Sequence, residues 1–271
     1  MKHSIINLQA KKWASLLLVL LSCLTSSAQV GEHRSELAVG FNGGYVLNSI
    51  GFLPKIPQSM HTGLTGGLSF RYTSEKYFNS ICAIVAEVNY AQIGWKESIL
   101  TTDDEPVINN ETGVAEKFQR TMNYVQVPVF ARLGWGRERN GFQAFFQAGP
   151  QIGFFLDENT KANFDLDNPN LVQRTSIVSS DYERDGVKIG SGIYHMPVEN
   201  KIDYGIAAAL GVEFSKPWLG HFMLEGRYYY GLGDIYANSK RDYFGRSNHS
   251  SIIIKLSYLF DVSKTKNNNI R

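Results

Sequence analysis

The run Ser250–Phe260, SSIIIKLSYLF, decides the fold. Ile252, Ile254, Leu256, Tyr258 and Phe260 fall on one side of the alternation, and Ser251, Ile253, Lys255, Ser257 and Leu259 on the other. Successive side chains of a β-strand point to opposite faces, so this period of two means one apolar face and one face that carries a lysine. The pattern recurs upstream. Phe222, Leu224, Tyr228 and Tyr230 oppose Glu225 and Arg227, and Tyr204, Ile206, Leu210, Val212 and Phe214 oppose Asp203 and Glu213. Val125, Val127, Val129, Leu133 and Trp135 oppose Gln126 and Arg132, while Leu64, Leu68, Phe70 and Tyr72 oppose Thr65, Ser69 and Arg71. A noisier segment sets Glu87 and Asn89 against Ile84, Val88 and Tyr90.

Working outward gives eight expected strands: Glu36–Val46, Gly63–Tyr72, Ile81–Trp95, Asn123–Trp135, Phe142–Leu156, Ile202–Phe214, Phe222–Leu232 and Ser250–Phe260. Most have the roughly 10 residues that a tilted strand needs to cross a bilayer, and no body segment offers the roughly 20 apolar residues of a membrane helix. The connections after the second, fourth and sixth strands are short (Thr73–Ser80, Gly136–Gly141, Ser215–His221), and those after the first, third, fifth and seventh are longer, up to Asp157–Lys201. Short turns at one end and long loops at the other are the rhythm of bacterial outer-membrane barrels. The expected fold is all-β, a transmembrane up-and-down antiparallel β-barrel of about eight strands.

Periodicity alone does not say which face is inside. The N-terminus helps: Lys2, Lys11 and Lys12 precede the apolar run Trp13–Leu24 and the small residues Ser26-Ser27-Ala28, the layout of a secretory signal. The rival reading is a lipoprotein signal, Leu20-Leu21-Ser22-Cys23. The expected organisation is a signal over 1–28, a barrel over 29–261 and a polar tail over 262–271. Removal of 1–28 leaves 24 basic against 25 acidic residues, a formal charge of −1. A near-neutral chain gives no footprint for nucleic acid. Cys82 is then the one remaining thiol, so no intrachain disulfide can form. Aromatics make up 13% of the chain, and Tyr72, Trp95, Trp135, Trp218 and Phe260 sit near expected strand ends, which suits interfacial girdles.

The polar faces carry Glu36, Glu87, Asp203, Glu213 and Glu225 against Arg71, Arg132, Arg227 and Lys255. Such charges cannot face lipid, where an arginine at mid-depth costs about 2–4 kcal/mol, but they can pair in a narrow lumen. An eight-stranded barrel is about wide enough for its own side chains, so these nine are read as a structural lumen network rather than a conducting path.

Five segments in order resemble the PorT-like outer-membrane β-barrel family of the Bacteroidetes. They are Ala86–Gly94 (AEVNYAQIG), Tyr124–Pro128 (YVQVP), Ala148-Gly149-Pro150, Asp203–Ile206 with Leu210–Glu213 (DYGI, LGVE), and Arg227–Asp234 (RYYYGLGD). Leu259-Phe260 is similar to the aromatic end of a barrel assembly signal. The resemblance implies an outer-membrane location with a periplasmic N-terminus, an even strand count returns both ends to the short-turn side, and the resemblance allows a part in type IX-like secretion or gliding. Independently of it, Pro128 lacks an N–H and is expected at a bulge or rim with local loss of pairing. Asp234 is expected to cap a turn.

No catalytic set, cofactor motif or metal site emerges. His33, His61, His195, His221 and His249 form no HExxH, and there is neither a GxSxG elbow nor a phosphate-binding loop. The neighbours His249-Ser250 read as a polar loop end rather than a hydrolase pair, and Asp103-Asp104-Glu105 with Glu111 as a solvated acidic loop. Asp165, Asp167, Asp181 and Asp185 lack EF-hand spacing. The expected role is structural or surface-interacting, through long extracellular loops, without catalysis. The expected partners are outer-membrane lipid and a protein met through the loops or periplasmic turns. A secretion or gliding component is the alternative, and a small pore a further one.

Overall fold

The computed structural model describes residues 32–264 apart from 78, 101–102, 104, 110–111, 138–139, 165–182, 185–186, 189–193, 195 and 237–243. Eight long strands follow one another: β1 (Glu32–Leu53), β2 (His61–Tyr77), β3 (Ser80–Ser98), β4 (Lys117–Gly136), β5 (Gly141–Ala162), β6 (Ile202–Lys216), β7 (Gly220–Gly231) and β8 (Arg246–Ser263). Each pairs antiparallel with the next, and β8 closes on β1. This is the expected up-and-down barrel of eight strands. Gln58–Ser59 adds a short rung to β3, and Glu183–Arg184 pairs with Val187–Lys188 outside the ring.

The register fixes the slope of the strands. Starting at Tyr90 on β3, the row of paired residues runs through Gly66, Gly43, Leu256, Leu224, Val212, Ala144 and Trp135 and returns to β3 at Ser80. The row has slipped ten residues in one circuit, from 90 to 80. With about 3.3 Å per residue and about 4.8 Å between strands, that stagger tilts the strands by about 40°. Close approach across the seam needs glycine at one point: a Cβ on Gly40 would lie 1.8 Å from the Tyr258 carbonyl oxygen.

The alternation shows directly in burial. Along β7 every second residue is buried, from His221 to Tyr229, and every residue between is exposed. The exposed set is apolar all round the ring, including Leu64, Val88, Leu210, Leu224 and Leu256. Tyr72, Trp135 and Phe260 stand on this outer face, as expected of a girdle. Trp95 does not: it is 3% exposed and points inward, so its assignment to the girdle is corrected.

The reason for that correction also explains why the strands outrun expectation. Above Tyr90 the alternation on β3 continues but its polarity inverts: Ala91, Ile93 and Trp95 are buried, while Gln92 and Lys96 face outward. On β1, Val46, Ile50 and Phe52 turn inward, which carries the strand from Val46 to Leu53 and shortens the first connection to residues 54–60, not the longer loop expected. On β4, Phe118 and Met122 do the same. Strands of this length, 17 to 22 residues in β1 to β5, outreach the 9–11 that span a bilayer. The barrel therefore projects beyond the membrane at the end that carries the longer connections, here termed the loop end. The other, the turn end, carries the 78–79, 137–140 and 217–219 turns and both ends of the described chain.

Pro128 lies in mid-strand, not at a rim or bulge. The register does not shift around it, yet pairing is interrupted between Ala86↔Val129 and Asn89↔Gln126 on one side and between Pro128↔Gln151 and Ala131↔Ala148 on the other. On the β3 side the gap falls at Pro128, which lacks the N–H, and on the β5 side it falls at Val129 and Phe130 opposite Pro150 and Gly149; neither gap adds a residue.

Candidate functional site

Two layers of charge fill the membrane-spanning half of the interior. Near the turn end, Glu213 on β6 accepts hydrogen bonds from Arg71 Nη1 at 2.7 Å, from Arg132 Nη2 and from Ser215 Oγ at 2.8 Å. His221 Nδ1 lies 2.7 Å from the same carboxylate, and its Nε2 lies 3.0 Å from Asp261. The Arg132 guanidinium also sits 3.8 Å from the centre of the Phe145 ring, a cation–π contact.

The second layer lies at mid-barrel. Arg227 Nη2 donates to Glu87 at 2.9 Å and to Glu225 at 2.6 Å, and Lys255 Nζ stands 2.5 Å from Glu87 and 3.2 Å from Glu225. Asn89 donates to Glu87, Gln147 donates to Glu225, and Asn42 links Asn89 to Ser69, each at 2.8 Å. Two cations face two carboxylates, all nearly without solvent contact. A buried charge is tolerable only when paired and hydrogen-bonded, and this layer meets both conditions.

The structure thus brings together Arg71, Arg132 and Glu213 in one layer and Glu87, Glu225, Arg227 and Lys255 in another. Asp203 stands apart, accepting the Tyr229 hydroxyl at 2.7 Å. Glu36 lies at the turn-end mouth, 3.5 Å from Arg34. Sequence alternation selects the residues that face inward but not their partners, which come from strands up to 168 positions apart.

Beyond Asp203 the interior changes character. Val46, Ile50, Ile93, Trp95, Phe118 and Met122 form an ordinary apolar core, capped by Tyr194, Val198, Ile235, Tyr236 and Phe244 from the long connections. Arg120 is the tie. Its guanidinium donates to the carbonyls of Met196 at 2.6 Å and Tyr194 at 3.1 Å and to the Tyr236 hydroxyl at 2.6 Å, with its charge 5.5 Å from the Trp95 ring centre. One β4 side chain so pins two connections across the barrel mouth. Burial pushes the Tyr236 hydroxyl up to about 12. Burial likewise pushes the Glu97 carboxyl, which accepts from Tyr194 at 3.3 Å, up to about 7. Arg120, Glu97 and Tyr194 were not anticipated. The available signal was an inward-facing arginine between Phe118 and Met122, where the alternation had inverted.

The histidines lie at separate points. His249 is fully buried and packs edge-on against Tyr124 with ring centres 5.5 Å apart, whereas Ser250 takes the opposite face and pairs with the Tyr228 hydroxyl at 3.0 Å. The two sit on opposite faces and form no joint site. His61 Nε2 meets Thr121 at 2.8 Å. Ser215, His221 and Asp261 are in contact through 2.7 and 3.0 Å, the residue types of a hydrolytic triad. However, Ser215 is 1% exposed and the adjoining cavity is about 30 Å³, room for about one water and none for an ester. Asp234 accepts the Ser247 N–H at 2.7 Å, joining the last connection to β8. Asp103 and Glu105 are exposed; Asp104, Glu111, Asp165, Asp167, Asp181, Asp185, His195, the segment 1–28 and positions 265–271 lie outside the described residues. Among the described residues no group of His, Cys, Asp and Glu has the arrangement of a metal site.

A closed antiparallel ring, apolar outside and charged inside, defines a transmembrane β-barrel of the bacterial outer membrane. The chain belongs to the outer membrane protein beta-barrel domain family, whose model matches residues 27–237. No curated protein matches it. Among solved structures it is similar to Ail, the attachment invasion locus protein of Yersinia pestis, at 12% identity over 83% of this chain and 99% of that one, with a TM-score of 0.33. OprG of Pseudomonas aeruginosa is similar at 12% identity, 85% and 98% coverage and a TM-score of 0.39. Neisserial surface protein A is similar at 10% identity, 84% and 100% coverage and a TM-score of 0.36. Likeness at this level adds nothing to the ring that the strand pairing already establishes.

Proposed function

We propose that this outer-membrane barrel is a non-catalytic scaffold that presents its loop end at the cell surface, with both termini in the periplasm and residues 1–28 removed on export. The observation that carries the reading is the filled interior. Glu36, Arg71, Glu87, Arg132, Asp203, Glu213, Glu225, Arg227 and Lys255 act as structure; Arg71, Glu87, Arg132, Glu213, Glu225, Arg227 and Lys255 hold separate strands of the wall together from inside, Asp203 ties β6 to β7, and Glu36 sits at the turn-end mouth. An apolar core does that work at the loop end. What is left for partners is the outer rim and the connections, and loops on a rigid scaffold are where binding function concentrates. A filled lumen also speaks against a pore. Protease treatment of intact cells tests the orientation: cleavage within 99–116 or 163–201 from outside is the expected result, and cleavage only after the outer membrane is opened contradicts it.

The five segments named above support a second reading, a component of a type IX-like secretion or gliding system within the PorT-like family of the Bacteroidetes. Its partner would meet the periplasmic turns or termini. A deletion strain with normal protein secretion and normal gliding removes this reading.

A further inference from the structure

Three lysines converge on one outward cleft at the loop end. Lys96 on β3, Gln119 on β4 and Lys161 on β5 occupy one row of the sheet, and Lys117 lies two residues along β4 on the same face. Strand spacing puts the Lys96 and Lys161 backbones about 10 Å apart, with Lys117 about 7 Å along the strand. All three lysines line a cleft of about 580 Å³, and Ser59 and Ser98 add hydroxyls to its wall. None of the three is ion-paired to a carboxylate of the described residues; Lys96 contacts Thr62 Oγ1 at 3.4 Å. The acids nearby are otherwise engaged. Glu97 turns inward to Tyr194, Glu158 faces Arg120 at 3.5 Å, and Asp157 accepts from Asn123. A chain of formal charge near zero therefore carries a local excess of three positive charges.

Height selects the ligand. Lys96 lies six residues beyond Tyr90, the last outward-facing aromatic of β3, a rise of about 15 Å along the barrel axis at a tilt of about 40°. The headgroup layer of a phospholipid leaflet is only about 5–8 Å deep. The lysines thus stand above phospholipid phosphates, at a depth reached by anions carried on a sugar core. We propose that Lys96, Lys117 and Lys161 bind phosphate groups on the core sugars of a glycolipid of the surrounding outer leaflet. Ammonium groups supply charge-assisted hydrogen bonds to phosphate oxygens, and the serine hydroxyls meet sugar hydroxyls. Binding there would fasten the projecting rim of β3, β4 and β5 to the membrane surface.

The inference rests on the loop end facing outward. That is read separately by labelling a cysteine placed at Met60, in a Cys82→Ser background, with an impermeant maleimide on intact cells. The direct test titrates the detergent-folded full chain with purified lipooligosaccharide carrying core phosphates. Replacing all three lysines by glutamine is expected to weaken binding at least about tenfold, and replacing all three by arginine to leave it within about threefold. Heat-modifiable migration in gels confirms that each variant is folded. Dephosphorylated lipooligosaccharide and vesicles of anionic phospholipid are expected to bind at the level of the glutamine variant. Equal affinity of the glutamine variant, equal binding of the dephosphorylated glycolipid, or full competition by millimolar inorganic phosphate each overturns the assignment. A failed label at Met60 overturns the orientation and with it the outer-leaflet ligand, even where phosphate-dependent binding in detergent shows that the three lysines form an anion site.

Discussion

The two halves of the barrel interior solve one problem with opposite chemistry. In the membrane-spanning half, lipid contacts the outer face, so the apolar side chains go outward and the charged ones are enclosed. In the projecting half, water surrounds the wall, so Ile93, Trp95, Phe118 and Met122 turn inward and Lys96, Lys117 and Lys161 outward. The β3–β4 ladder runs through the boundary without a shift, whereas β2–β3 pairing ends there at Thr65↔Ala91 and the β4–β5 ladder carries a bulge at Asn123/Tyr124. The difference teaches that the solvent outside sets which alternate residues are apolar, while β3 and β4 keep their period of two throughout.

The halves should therefore fail differently. The largest effect is expected in the charged half. Glu213→Ala strands Arg71 and Arg132 beside a cavity, and removing one partner of a buried pair costs about 3–5 kcal/mol. Urea titration of the detergent-folded protein, followed by loss of heat-modifiable migration, should show the whole ring destabilised. Replacing Glu87, Glu225, Arg227 and Lys255 together by Gln, Gln, Met and Met should cost far less than Glu213→Ala, because no charge is left unpaired. A quadruple variant as damaged as the single one would mean that the charges do more than balance one another.

In the apolar half, Phe118→Ala should cost about 3 kcal/mol by the ordinary cavity rule but act locally. Protease should cut the connection around Tyr194 faster while the ring stays folded. Equal destabilisation of ring and connection would erase the distinction between the halves.

A smaller effect concerns pH. Glu97, held neutral by burial up to about 7, ionises more readily when the loop end opens, where its ordinary value is 4.5. Its folded value is raised, so the closed form binds more protons between those limits and loses stability as pH rises from about 4.5 to about 7. The change is about 3 kcal/mol, read as faster amide exchange around Tyr194 and Val198. Glu97→Gln should flatten that dependence.

The smallest effect lies at the turn end. Lys216 and Leu219 close a tight turn by a 3.1 Å backbone hydrogen bond, with Pro217 before a fully exposed Trp218 at φ 76°. A bulky residue is strained where this turn favours glycine. Trp218→Gly should stabilise the turn by about 1 kcal/mol, unless the indole is anchored in the membrane interface. A loss of stability in bilayers but not in detergent would reveal such anchoring.

Much of the fold was legible because a β-strand writes its two environments into adjacent letters. β7 and β8 show it most clearly: parity puts Glu225 and Arg227 on one face of β7 and Lys255 opposite the apolar face of β8, and the lipid outside turns those faces inward. The site was legible as a set of inward charges but not as two layers, because Glu87 meets Lys255 only once the ring closes. The projecting half was missed for a related reason. Apolar-outward alternation ends where the outer solvent changes, so the sequence carries no such signal for the inward Trp95 and Arg120 or for β1 beyond Val46. Nothing near Arg120 in sequence announces the carbonyls of Tyr194 and Met196 that it holds.

The central claim is a closed barrel filled along its length, charged in the membrane and apolar above it. Recording from planar bilayers that contain the full mature chain tests it most directly, with folding verified by heat-modifiable migration. The account predicts silent membranes across voltage and salt. Stepwise conductance from well-folded protein, altered by Glu213→Ala or Arg227→Ala, would contradict it.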